Sequence, residues 1–105
     1  MKIRSYTVTI TVADGTGNGT TALFLPMKNA GGIIGQVILK APAEDTLYNF
    51  YITNPNGRTV YKRNNVTGDY ADEVKIPVLG TYTCYITNAS ADGSFYAEIM
   101  LQENE

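Results

Sequence analysis

Few residues of this chain could do chemistry, and their types narrow the reactions available. The 105 residues include no histidine and a single cysteine, Cys84. Without histidine, neither a Ser-His-Asp nor a Cys-His arrangement can form, and the commonest zinc ligand is missing. Cys84 shares an alternating pattern with Tyr82 and Ile86, which predicts a buried thiol rather than an exposed, activated one. Nucleophilic catalysis is therefore not expected.

Carboxylates occur as two adjacent pairs, Glu44-Asp45 and Asp72-Glu73. Glycosidase chemistry needs two carboxyl groups facing each other across a cleft, about 5–10 Å apart. Neighbouring residues of a strand point to opposite faces, so neither pair makes such a site by itself. We expect no enzymatic activity, no catalytic residue and no cofactor.

Residues 14–19 (DGTGNG) form a glycine-rich segment with acidic and amide oxygens. Only Asp14 carries a charge, however, and no bidentate glutamate follows at the far end, as a calcium loop would require. A phosphate-binding loop would open a helix, whereas this segment joins two predicted strands. The sequence therefore predicts a hairpin loop here, with no metal site.

Tyrosine is the residue type that points most clearly to binding. Residues 48–54 (YNFYITN) return as residues 82–88 (YTCYITN), with five of the seven positions identical. Alternation places Tyr51 and Tyr85 in the same outward position of the two copies, and Tyr96 outward on the following strand. These three rings could form an exposed strip that anchors a protein partner or stacks on sugars. The alternative is ordinary cross-strand aromatic pairing on a solvated face.

The composition limits the partners. The formal net charge is -2, and the nearest basic cluster is Arg58, Lys62 and Arg63, which we interpret as charges that discourage edge pairing. Nucleic acid is therefore not an expected partner. No apolar stretch has the length of a signal peptide, and none approaches the ~20 residues of a membrane span. If Met1 is the native start, we expect synthesis in the cytoplasm and no membrane association.

The elements that must position these residues are strands. With 44% hydrophobic residues, the chain suits a single domain spanning 1–105. The pattern predicts eight strands, at 2–12, 20–27, 33–40, 48–54, 58–63, 73–76, 82–88 and 95–102. Polar residues 64–69 are predicted to be a loop. The prediction is an antiparallel β-sandwich, either jelly-roll or Ig-like, with a closed barrel as the lesser alternative.

Alternation also predicts which side chains form the core. The residues predicted to face inward are Tyr6, Val8, Ile10, Val12, Tyr48, Phe50, Ile52, Val60, Tyr82, Cys84, Ile86, Phe95, Ala97, Ile99 and Leu101. Strand 33–40 carries apolar residues on both faces, as expected of a strand that is covered on both sides or lies in an interface. Gly35 within it predicts a bulge or a close backbone approach.

Two resemblances suggest functions. Residues 76–99, with the pattern P-x-x-G-x-Y-x-x-x-I-x-N-x-x-x-D-G-x-F, resemble the closing hairpin of jelly-roll carbohydrate-binding and pre-peptidase C-terminal domains. That resemblance implies glycan binding as an alternative function. The acidic calcium ligands that such modules often carry are missing here.

The whole chain is similar in size and in its Thr-, Gly- and Tyr-rich strands to small all-β accessory proteins of tailed-phage virions, such as capsid decoration or cement proteins. This likeness implies a non-enzymatic protein on the virion surface, made in the host cytoplasm. Its partner would be a large protein assembly, either the major capsid protein or another virion protein, and it could also form a homo-oligomer.

Overall fold

The computed structural model describes residues 2–24 and 31–103. Eight strands and no helix occur in this part of the chain, which confirms the all-β prediction. The strands are β1 Lys2–Val12, β2 Gly19–Phe24, β3 Gly32–Lys40, β4 Leu47–Thr53, β5 Thr59–Thr67, β6 Tyr70–Val78, β7 Thr81–Thr87 and β8 Gly93–Glu103.

The strands form two four-stranded antiparallel sheets. Sheet A has the order β1-β8-β3-β6, and sheet B has the order β2-β7-β4-β5. The ladders are nested: β4 pairs with β5, β3 with β6, β2 with β7, and β1 with β8. The resulting double strip rolls up so that β8 also pairs with β3, and β7 with β4. This connectivity is that of a jelly roll, which decides between the alternatives left open by the sequence.

The core lies between the sheets and is built by the alternating residues of the central strands. Both repeat copies place their first tyrosine inside, and Phe50, Ile52 and Ile86 are at most 1% exposed. Tyr48 on sheet B meets Phe95 on sheet A edge-on, with 5.0 Å between ring centroids. Contacts of this kind bury the inner faces of both sheets against each other. The predicted core of β4, β7 and β8 is confirmed.

The structure corrects the prediction for β5 and β6. The predicted loop 64–69 is mostly strand, because β5 continues to Thr67 and β6 already begins at Tyr70. Pro77, predicted to end β6, lies inside it. A proline is tolerated there because β6 is an edge strand, where one side of the backbone needs no ladder partner. The predicted β2 residues 25–27 lie outside the described residues.

Two bulges change the phase of β5. Ile52 pairs with Tyr61 but Thr53 pairs with Thr59, so Val60 is an extra residue with no partner. Val60, predicted to face inward, is therefore only half-buried, and Tyr61 takes the core position instead. A second bulge spans Asn64 and Asn65, where Asn65 has a positive φ of 56°. Asparagine tolerates this left-handed conformation better than most residues do.

Gly35 is the extra residue that shifts the pairing of β3 with β8, so the predicted bulge is confirmed. The bulge keeps Ile34 and Val37 both buried although they are three positions apart. It also leaves Ile33 and Ile38 half-buried on the outer side of sheet A.

Candidate functional site

Tyr51 and Tyr85 lie side by side on the outer face of sheet B. The two repeat copies form the central strands β4 and β7, and the ladder pairs Tyr51 directly with Tyr85. Their rings are stacked, with 4.4 Å between centroids and 9° between planes. Both side chains are half-buried. The repeat therefore produces one compact aromatic unit at the middle of the sheet.

A row of four paired residues crosses the sheet at this point: Thr20, Tyr85, Tyr51 and Lys62. We call the outward side of sheet B, centred on this row, the tyrosine face. Its neighbouring row consists of Ala22, Thr83, Thr53 and Thr59.

The tyrosine face is nearly free of charge. Among its described residues only Lys62 is charged, and short threonines surround the two rings. Thr53 points outward and yet is only 7% exposed, so the face is closely packed beside Tyr51. Protein–protein interfaces are enriched in tyrosine and depleted of charge at their centres, and this face has the same composition.

Tyr96 does not belong to this face. It lies on β8 in sheet A, where it pairs with Lys40 and is 42% exposed. The sequence placed it outward on the strand that follows Tyr85, and a hairpin of β7 and β8 would bring the two rings together. In the jelly roll the turn at residues 88–92 instead carries the chain from one sheet to the other. The predicted strip of three tyrosines is therefore wrong, since Tyr96 is on the opposite side of the sandwich.

Two depressions mark the outer face of sheet A. A smaller one of about 320 Å³ lies beside Tyr96 and is lined by Thr7, Ile38, Lys40 and Glu98. A larger one of about 620 Å³ lies at the Gly35 bulge, with apolar lining from Ile3, Ile33, Val74 and Met100, and polar lining from Gln36, Glu73, Lys75 and Gln102. Sheet A is therefore rougher and more charged on its outer side than sheet B.

A polar cluster joins the edge strands β5 and β6, and we call it the edge clasp. The Tyr61 hydroxyl donates to Asp72 Oδ2 at 2.8 Å, and Arg63 Nε donates to the same oxygen at 3.0 Å. The Arg63 guanidinium also lies 5.9 Å from the centre of the Tyr61 ring. The clasp connects sheet B to sheet A along one side of the sandwich.

The clasp shifts the pKa values of its members. The hydrogen bond from Tyr61, reinforced by Arg63, holds the pKa of Asp72 below its usual value, although burial opposes this. Burial, followed by the bond to Asp72, raises the pKa of Tyr61. Sequence reasoning missed the clasp because the Val60 bulge brings Tyr61 and Arg63 onto the inward side. Arg63 was predicted to be a free surface charge.

The remaining candidates for chemistry are dispersed. In residues 2–24 and 31–103, no three His, Cys, Asp or Glu side chains come together to hold a metal ion. Cys84 is fully buried, so the predicted buried thiol is confirmed, and burial raises the pKa of this thiol to about 12. None of the described segments is a helix long and apolar enough to cross a membrane.

The loop at residues 14–18 connects strands of different sheets, so the predicted hairpin there is also wrong. It is held against the β7–β8 turn, where Gly15 donates its backbone N–H to Asp92 Oδ1 at 3.3 Å. Asp92 raises the pKa of Asp14 through a shared hydrogen bond and charge repulsion. Nothing in the sequence pattern distinguishes such a crossing loop from a hairpin.

No family model matches the chain, and no curated protein sequence matches it significantly. Among solved structures, one similar chain is VP2 of infectious bursal disease virus in derived T=1 particles, with a TM-score of 0.41, 12% identity, and coverage of 98% of this chain and 32% of that one. Another is a VP2 subviral particle of the same virus, with a TM-score of 0.44, 13% identity, and coverage of 97% and 33%. The chain thus spans about a third of these proteins. We draw nothing about function from likeness of this extent.

Proposed function

We propose that this chain is a non-enzymatic structural protein that docks on a larger protein assembly through the tyrosine face. The observation that carries the proposal is the stacked pair Tyr51–Tyr85 at the centre of a nearly uncharged sheet. The partner we propose first is a phage capsid, contacted at its major capsid protein or another virion protein. The chain would then be made in the host cytoplasm and sit on the virion surface.

The physical basis is the cost of removing a surface from water. Burying an unpaired charge in an interface costs a large desolvation free energy, whereas covering threonine and tyrosine side chains costs little. Tyr51 and Tyr85 already restrict each other by stacking, so a partner would order few additional side-chain rotations. A rigid aromatic unit ringed by small polar residues is the usual form of an interface hot spot.

The ring geometry favours a protein partner over a sugar at this place. Side chains stand roughly perpendicular to a sheet, so two stacked rings there turn one face toward each other. They present their edges and hydroxyls outward, whereas stacking on a sugar needs an open ring face. A protein surface can bind edges and hydroxyls with hydrogen bonds and packing.

A glycan remains the second candidate, at a different site. Tyr96 has no stacking partner among the described residues, and it borders the smaller depression together with Lys40 and Glu98. An exposed ring beside polar groups is a common form of sugar-binding site. Eight-stranded jelly rolls occur in both viral capsid and lectin domains, so the fold supports both candidates equally.

The test is co-sedimentation with assembled shells of the major capsid protein encoded in the same genome. The parent protein is expected to pellet with the shells, and added oligosaccharide should not release it. The double variant Tyr51→Ser/Tyr85→Ser should bind at least about 30-fold more weakly, which corresponds to the ~2 kcal/mol of a hot spot.

Tyr96→Ser is the matched control, because it removes the same side chain from the opposite side of the sandwich. It should leave shell binding unchanged. If the double variant binds shells as well as the parent does, the tyrosine face is not the docking surface. Retention of the parent on immobilised polysaccharide, lost in Tyr96→Ser, would support the glycan candidate instead.

A further inference from the structure

Each sheet ends in two edge strands, and they are protected to different degrees. Exposed edges invite pairing with another chain, and proteins block them with proline, bulges, charge or short length. β6 carries Pro77, and it has one more residue than β3 between the pairs Ile34–Ile76 and Gln36–Glu73. β5 carries two bulges and the charged Lys62 and Arg63. Both strands are also held by the edge clasp.

On the other side of the sandwich, the edge strand of sheet B is β2, and its first residue, Gly19, lies tightly against the end of β1. A Cβ at Gly19 would overlap the carbonyl oxygen of Thr11. The end of β1 near Thr11 is therefore covered by β2.

The earlier part of β1 has no comparable protection. All eleven residues of β1 pair with β8 without a register shift, so the strand is long and regular. Between Ser5 and Thr9 it carries no proline, glycine or charge. Ser5, Thr7 and Thr9 are exposed on its outward side, and Tyr6 and Val8 are half-buried on the other. This stretch is therefore a regular edge without proline, bulge or charge.

We propose that a second copy of this chain occupies that edge, with the two β1 strands pairing antiparallel across a two-fold axis. A contact between the same edge of two copies is self-complementary and closes at two copies, whereas pairing between two different edges would make a fibre. The antiparallel arrangement also suits the charges of the strand. The cations Lys2 and Arg4 lie at one end only, so the antiparallel arrangement keeps those of the two copies apart.

The same pairing brings Ser5, Thr7 and Thr9 of one copy beside those of the other. Cross-strand Thr–Thr and Thr–Ser neighbours are favourable pairs on an antiparallel sheet. Sheet A would then continue through both copies as one eight-stranded sheet.

The proposed dimer has a consequence for docking, which rests on the function proposed above. Antiparallel strands in one sheet turn the same side chains to the same face, so the two-fold axis is perpendicular to the sheet. Both tyrosine faces therefore point in one direction. The two tyrosine faces of one rigid dimer can bind a repetitive surface at the same time. Two linked sites of this kind bind much more tightly than a single site does.

The test is sedimentation equilibrium of the whole chain from about 1 µM to about 1 mM, a range that spans weak to moderate affinities. The parent is expected to dimerise, and its β1 amides should exchange more slowly as the concentration rises. Thr7→Lys places a charge at the middle of the contact and should weaken the dimer at least about tenfold. Thr9→Lys should weaken the dimer by a similar factor. It provides a second test in case Thr7→Lys impairs folding.

Thr59→Lys is the matched control, because Thr59 is also an exposed threonine on an edge strand, but on the clasped side. It should leave the dimer intact. The proposal is overturned if the parent stays monomeric throughout, or if Thr59→Lys separates the dimer as effectively as Thr7→Lys does. The double variant Tyr51→Ser/Tyr85→Ser should dimerise normally, so loss of shell binding and loss of the dimer are separate outcomes.

Discussion

Tyr51 and Tyr85 are equivalent residues of a sequence repeat and are also direct partners in the ladder between β4 and β7. Because the two copies run antiparallel, this pair lies on a local two-fold axis within sheet B. The core pairs on either side are related by the same axis: Phe50 with Ile86, and Ile52 with Cys84. The repeat thus produces the stacked rings outside and a symmetric core inside.

The stack should contribute a measurable coupling energy. We expect a double-mutant cycle of Tyr51→Leu and Tyr85→Leu, measured by urea unfolding, to give about 1 kcal/mol, the usual value for an aromatic pair. Leucine keeps apolar bulk at each position, so the cycle isolates the ring contact. Additive effects of the two substitutions would mean that the rings lie together without stabilising each other.

The two faces of the central strands should differ sharply in sensitivity. Ile52→Ala and Ile86→Ala should each lower the free energy of unfolding by about 2–5 kcal/mol, because both side chains are buried between the sheets. Thr87→Ala, on the outward side of β7, should cost about 0.5 kcal/mol. Thr53 is a poor control, since it is 7% exposed despite pointing outward. Equal costs at Ile86 and Thr87 would contradict the observed register.

The edge clasp should make part of the stability depend on pH. Asp72 has a lower pKa in the folded state than its ordinary 3.8, so the unfolded chain binds more protons as the solution becomes acidic. The stabilisation is complete above that ordinary value and is lost as the pH falls through the lowered one. We expect Asp72→Asn to cost about 1 kcal/mol near pH 7, after allowing for solvent screening at the half-exposed Arg63.

At a pH below the lowered pKa, where the Asp72 carboxyl of the folded parent is also protonated, the difference in unfolding free energy between parent and Asp72→Asn should largely vanish in urea unfolding. Glu73→Gln is the matched control at neutral pH, because Glu73 is the adjacent exposed carboxyl and takes no part in the clasp. A cost for Glu73→Gln near pH 7 equal to that of Asp72→Asn would assign the effect to net charge rather than to the clasp.

Gly68 should be intolerant of substitution. Its φ is +62°, and a Cβ there would overlap the backbone of Glu44. Its N–H donates to the Thr46 carbonyl at 2.8 Å, and its carbonyl accepts from the Tyr48 hydroxyl at 2.7 Å. We expect Gly68→Ala to lower the unfolding free energy by at least about 2 kcal/mol, because Gly68 cannot move away from Glu44 without breaking these bonds.

Gly57→Ala is the control for backbone strain alone. Gly57 also has a positive φ, of +83°, but nothing lies within 4 Å of an added Cβ. Gly57→Ala should lower the unfolding free energy by about 1 kcal/mol, which is the cost of the left-handed conformation for alanine. Similar costs at the two glycines would show that the close approach to Glu44 relaxes easily.

Residue alternation was enough to predict much of the fold. Large apolar residues at every second position of β4, β7 and β8 identified the buried face, because a strand between two environments must alternate. The length of β1 and the bulge at Gly35 followed from similar reasoning. The repeat also indicated that Tyr51 and Tyr85 occupy equivalent outward positions.

The rest depends on long-range pairing that local patterns do not encode. The extra residues Val60 and Asn65 shift the phase of β5, and an inserted residue has no distinctive composition. The turn at residues 88–92 could have returned along the same sheet, and only the pairing of β8 with β1 and β3 shows that it crosses. The edge clasp was missed because of the shifted phase of β5. The position of Tyr96 was mispredicted because of the crossing turn.

The nested ladders imply an order of events during synthesis. The β4–β5 ladder joins residues separated by a short turn, whereas the β1–β8 ladder reaches from Lys2 to Glu103. Loop-closure entropy rises with separation, so we expect the inner ladder to form early and the outer one last. On the ribosome, β1 emerges before every other strand but has no ladder partner until β8 follows. β1, an edge strand of sheet A, is therefore the strand that stays without a ladder partner for longest.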